Sequence, residues 1–197
     1  MNIPRLTFIY AYPLDSGRRK HYEEQNLEGY PTVGEVKETI QRWSNLWLET
    51  DNSHNLIEKM IEITGKTPDR ALECFVYGAD LNAMSTPFLM PVLNRKGQLW
   101  SDEMFLQTII HELLHIFVTT NSEWYWNEVQ IIFAKESVVC RNHIIVYALL
   151  YEIYQQLFNT EPADFSRDNL SPGYMRAIEL VKEFGHRYLI EEYQRLT

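Results

Sequence analysis

The sequence is poor in three things, each of which would point to a class of function. Cysteine is the first: 197 residues contain two, Cys74 and Cys140, far apart and without the paired spacing of a thiolate zinc site or a disulfide framework. A reducing compartment is the expectation. Positive charge is the second. With 18 Lys and Arg against 27 Asp and Glu, the chain carries a net charge of −9, whereas a protein that grips nucleic acid or an anionic membrane needs a basic face. The short run Arg18, Arg19, Lys20 does not supply one, so neither nucleic acid nor membrane is an expected partner. Long apolar runs are the third: none approaches the roughly 20 residues of a membrane span. The opening MNIPRLTFIYAYPL has no basic leader before an apolar stretch and no small-residue cleavage pattern. The expected location is the cytoplasm.

Aromatic residues, by contrast, are plentiful, with 12 Tyr and 5 Trp in a chain that is 45% hydrophobic. Such side chains fill a core or line a cleft for a polymeric substrate, and core filling is the commoner use. The length suits one sizeable core, so a single domain over 1–197 is expected. No internal repeat or low-complexity segment interrupts it.

Hydrophobic periodicity divides the chain into a mixed first half and a helical second half. Leu6 to Tyr12 reads as a strand, and the polar stretch from Asp15 to Gly29 as a loop. Val36, Ile40, Trp43, Leu46 and Trp47 recur at helical spacing from Thr32 to about Glu49, and a second helix is predicted from about Ser53 to Thr64. Ala71 to Tyr77 and Pro87 to Leu93 read as strands, followed by a turn at Asn94 to Gly97. Ser101 is a good N-cap, and Asp102 and Glu103 place negative charge in the first turn of a helix that should run to about Val118 and end near Asn121. Further helices are predicted from about Glu123, from Asn142 to Phe158, and from Pro172 to Leu196. The pattern implies an α+β fold, a small mixed sheet packed against a mainly helical C-terminal half.

Within the first of these later helices stands HELLH. Residues four apart on a helix point the same way, so His111 and His115 can offer imidazole nitrogens to one metal ion. Glu112 lies about one hundred degrees around, beside such an ion rather than on it, where a carboxylate can take a proton from water and return it to a leaving group. Six histidines in 197 residues would give this pattern by accident with a probability of roughly one or two per cent. Phe105, Ile109, Ile110, Leu113, Leu114, Ile116 and Phe117 make the helix apolar around most of its girth. Two histidines and a glutamate buried there need partners, either a metal or a hydrogen-bonded core network.

HELLH resembles the active-site helix of the zincin metallopeptidases. The resemblance implies zinc bound by His111 and His115, Glu112 as the general base, a peptide or protein substrate, and a preceding strand edge that aligns it, for which Asn82 to Leu93 is similar in placement. The metzincin subfamily would place a glycine at 118 and a third histidine at 121, where this chain has Val118 and Asn121. A gluzincin-like arrangement would take its third ligand from a glutamate such as Glu128 in the run WNE, at shorter spacing than in the aminopeptidases. Glu136 and Glu152 are weaker choices. The run ESVVCRNHIIVYALLYEIY resembles small bacterial HExxH proteins in which a later histidine opens an apolar helix. This makes His143, beside the predicted helix start at Asn142, the preferred third ligand, with Glu128 as the alternative.

Tyr147, Tyr151 and His186 are within conceivable reach as oxyanion stabilisers, and Glu136 as a hydrogen-bond partner of a ligand. Each has an ordinary structural use as well. His21 and His54 lie in polar surroundings and are expected on the surface. The leading expectation is a zinc-dependent hydrolase, a metallopeptidase. Its alternatives are a non-catalytic metal-binding or interaction protein that retains the zincin helix, and a metal-free domain with HELLH as a satisfied core helix.

Overall fold

The computed structural model of the chain describes residues 3–79, 81–120, 122–167 and 169–197. In chain order the elements are β1 (Leu6–Tyr10), α1 (Tyr12–Glu24), α2 (Val33–His54), α3 (Leu56–Thr64), β2 (Leu72–Tyr77), β3 (Met84–Ser85), β4 (Phe88–Pro91), α4 (Asp102–Thr119), α5 (Glu123–Ile132) and α6 (Val138–Ile153). There follow a π turn at Tyr154–Phe158, a 3-10 turn at Ala163–Ser166, α7 (Pro172–Phe184) and α8 (His186–Leu196). The fold is α+β with a small mixed sheet, as the sequence predicts. No helix among the described residues is long and apolar enough to cross a membrane.

Internal contacts group the chain into two compact units: Met1–Leu56 with Asp69–Glu112, and Ile57–Pro68 with Leu113–Thr197. The first holds the sheet, in the order β1-β2-β4-β3, with β1, β2 and β4 parallel and β3 antiparallel to β4. Register puts Phe8 beside Cys74, Tyr10 beside Val76, and Val76 beside Met90, so these side chains share one face. Phe105 of α4 meets that face at Phe8, ring centroids 5.7 Å apart, and stacks on Trp43 of α2 at 4.4 Å. On the opposite face Ala11 and Leu14 pack with Phe75, Tyr77 and Leu89. The run 82–93 forms a hairpin rather than one strand: β4 lies inside the sheet, and Met84–Ser85 is the outer strand.

The stretch expected to be a loop, Asp15 to Gly29, contains most of α1. Its apolar positions are too few to signal a helix, and its one buried residue is Asp15. A polar hub replaces the missing apolar stripe. Asp15 accepts from Tyr10 Oη at 2.7 Å, Arg19 Nη2 at 2.8 Å, Tyr30 Oη at 2.9 Å and the Gly78 backbone N–H at 2.7 Å. A Cβ at Gly78 would lie 2.5 Å from the Tyr30 ring, so glycine there lets the ring reach the carboxylate.

Two other boundaries moved. α2 runs on to His54, and Asn55, left-handed at φ 52, separates it from α3. Likewise Gly185, at φ 85, splits the predicted last helix into α7 and α8. Asn and Gly tolerate positive φ where other residues are strained. Asn121, where α4 was expected to end, lies outside the described residues.

In the second unit α6 forms the centre, packed by α7 and α8. Eleven of its sixteen residues are buried, which leaves its polar members in surroundings of low polarity. Gln194 of α8 donates to the Ile63 carbonyl of α3 at 2.7 Å. The Tyr125 and Tyr193 rings meet edge to face at 4.9 Å, tying α5 to α8.

Candidate metal centre

α4 begins as its sequence predicts. Ser101 Oγ accepts from the Met104 N–H at 3.3 Å, and Asp102 and Glu103 occupy the first turn. Phe105, Ile109, Ile110, Leu113, Leu114, Phe117 and Val118 are fully buried, so the polar side chains between them sit in a medium that disfavours charge. Burial raises the Glu112 carboxyl to about 7. Burial holds the Cys74 thiol of β2 well above its usual range, and the nearby Glu112 charge adds to the effect.

α6 starts four residues earlier than the sequence predicts, at Val138 rather than about Asn142. Ser137 is its N-cap, accepting from the Cys140 N–H at 3.2 Å. His143 therefore lies in the second turn, where the carbonyl four residues back, that of Val139, is within reach. His143 Nδ1 is 2.7 Å from that oxygen. A carbonyl oxygen only accepts, so the proton is on Nδ1 and the Nε2 lone pair is left to face outward from α6.

That lone pair meets His115, with the two Nε2 atoms 3.1 Å apart. His111 completes the group: the ligand atoms of His111, His115 and His143 all lie within 4.8 Å of one another. Burial lowers the pKa of both His115 and His143, and the neighbouring imidazole lowers His115 further. Both rings are thus neutral near pH 7, the form that binds metals. Two nitrogens on one tetrahedral zinc, each about 2.0–2.1 Å from it, sit about 3.3 Å apart, close to the observed spacing. The donor set fits a divalent metal ion.

No protein-family model, curated protein or solved structure matches the chain.

Of the other residues singled out from the sequence, Tyr147 sets its ring beside His143, centroids 6.0 Å apart, while the glutamates lie outside the group. Glu128 is outside the histidine group and close enough to Arg195 of α8 to raise its pKa. Glu136 forms an ion pair with Arg176 at 3.0 Å, and Glu152 Oε2 lies 2.7 Å from His186 Nε2. Tyr147 donates to Asp164 at 3.1 Å and Tyr151 to Glu161 at 3.1 Å. These contacts give Tyr147, Tyr151 and His186 partners other than the three histidines. His21 is exposed as expected, whereas His54, at the end of α2, is half-buried.

Two features of the centre went unread in the sequence. Tyr174 of α7 sets its ring edge-on to His143, centroids 4.4 Å apart, a contact no local pattern signals. The Val139 carbonyl was detectable in principle. Ser137 ahead of the apolar run is an N-cap signal, and it places Val139 one turn before His143.

Proposed function

We propose that this chain is a zinc-dependent hydrolase of zincin type that cleaves peptide bonds, with His111, His115 and His143 holding the ion and Glu112 serving as general base. The observation that carries the proposal is the convergence of His111 and His115 of α4, the helix that also bears Glu112, with His143 of α6, their ligand atoms within 4.8 Å of one another. Bound zinc would supply Lewis-acid polarisation of the scissile carbonyl and lower the pKa of water in its shell.

Glu112 supplies the proton traffic. A carboxyl raised to about 7 is a far better base than an ordinary glutamate and still gives its proton up readily, the compromise that general acid–base catalysis near neutrality favours. It takes the proton of the attacking water and returns it to the departing amine. With three protein ligands, a bound zinc would keep room for water or substrate. His143 is preferred to Glu128 because it is the third member of the group.

Metal analysis paired with a Glu112→Gln variant tests this. Both proteins should purify with one equivalent of zinc, and Glu112→Gln should lose roughly 10²–10⁴-fold in peptide-library turnover. Equal turnover would remove Glu112 as the base. Zinc retained with no turnover in either protein would favour a metal-binding protein without catalysis.

A further inference from the structure

The start of α7 touches the start of α6 at three successive points. Gly173 lies against Ser137 and Val139: a Cβ built on it would fall 2.8 Å from Val139 Cβ, 2.8 Å from Val139 Cγ1 and 3.2 Å from Ser137 Oγ. Its φ is not among the positive values of the chain, so the backbone does not demand glycine. The space does. One residue on, the Tyr174 ring stands edge-on to His143 at an interplanar angle of 76°. Two residues further, Arg176 Nε donates to Glu136 Oε1 at 3.0 Å, just ahead of the Ser137 cap.

Each contact bears on the same imidazole. Ser137 sets where α6 begins, Val139 provides the carbonyl that fixes the proton on Nδ1, and Tyr174 limits rotation of the ring about its χ2. An imidazole able to turn over, or to move its proton to Nε2, would no longer present a lone pair to His115 and the ion. Partners that orient a ligating histidine from behind commonly change metal affinity 10–100-fold when altered.

We infer that the first turn of α7 is a clamp that positions the third metal ligand, with Gly173 admitting the helix to van der Waals contact with Val139 and Tyr174 bracing the His143 ring. This deepens the metal-centre reading and rests on it. Gly173 and Tyr174 are positioning residues.

The test compares wild type, Gly173→Ala and Tyr174→Leu in two measurements. One is zinc affinity by chelator competition; the other is the tautomer of His143 in metal-stripped protein, read from its imidazole ¹⁵N resonances. Wild type should show a single Nδ1–H tautomer. Gly173→Ala, which pushes the two helix starts apart, should show a mixture and lose about 10–100-fold in zinc affinity. The double variant Gly173→Ala with Val139→Gly moves the gap to the other helix and should recover most of both. A merely destabilising substitution would lower the melting temperature without changing the tautomer. If Gly173→Ala does not fold, Tyr174→Leu carries the same two expectations. Wild-type affinity with a locked His143 in the folded variants overturns the clamp and leaves the metal centre standing. Failure of wild type to bind zinc overturns the metal centre, and the tautomer comparison alone then decides the clamp.

Discussion

The chain buries two clusters of polar side chains and satisfies them in opposite ways. Around Asp15 a single negative charge, wholly out of solvent, meets four donors from Tyr10, Arg19, Tyr30 and Gly78. Charge and hydrogen bonds close within the protein. Around His143 the ligand atoms of three imidazoles come within 4.8 Å of one another, and of the hydrogen-bonding groups on His143 only Nδ1 is turned to the backbone, at the Val139 carbonyl. The first cluster needs nothing from outside and reads as architecture. The second gathers three imidazoles that could hold a metal ion, and that convergence marks it as a candidate site.

The largest effect should come from breaking the closed cluster. Asp15→Ala leaves Arg19 and two tyrosine hydroxyls without their common acceptor and should cost about 3–5 kcal/mol, the range for removing one partner of a buried ion pair. Urea denaturation measures it. The same cluster fixes an acid limit. Burial alone would raise the Asp15 carboxyl, but the hydrogen bonds from Tyr10, Arg19, Gly78 and Tyr30 outweigh it and leave the pKa below its usual value. A carboxylate lowered on folding stabilises the native state fully above its unfolded pKa of about 3.9, and this contribution fades as pH falls through the lower folded value. The acid-unfolding curve of wild type should therefore keep a step below pH about 3.9 that Asp15→Asn lacks.

The open cluster should respond to its ion instead. Zinc at one hundred times its dissociation constant should stabilise the metal-stripped protein by about 2.7 kcal/mol, seen as a rise in melting temperature. His143→Ala should abolish that rise, and Asp15→Asn should leave it in place. Equal responses from the two variants would erase the distinction between the clusters. A smaller effect sharpens it: Ser137→Ala removes the N-cap of α6 and should cost about 1 kcal/mol, with some loss of zinc affinity, whereas Thr32→Ala should cost a similar amount at the capping box of α2 with no such loss.

This contrast also explains what was legible in the sequence. α4 was readable nearly to its ends because its cap, first-turn acids and apolar girth are local signals. The pairing of His111 with His115 and the offset of Glu112 follow from helix geometry alone. α1 was missed because its anchor is not local: the donors to Asp15 come from β1, from Tyr30 and from the end of β2, and only Arg19 shares its helix. Preference for His143 came from a resemblance to other proteins, while its detailed placement depends on contacts forty residues apart in sequence, such as Arg176 with Glu136. The two-residue outer strand, Met84–Ser85, is too short to leave a periodic trace.

An α-helix that widens into a π turn holds one residue more than its regular ladder requires. α6 does so at Tyr154–Phe158, after its run past His143 is complete. Deleting one residue from 154–158 would tighten that turn and shift only the chain that follows it. Deleting one between Val139 and His143 would swing the imidazole about 100° from its supporting carbonyl. The spare residue of the helix is thus stored on the far side of the third histidine, and none lies between that histidine and the carbonyl that supports it.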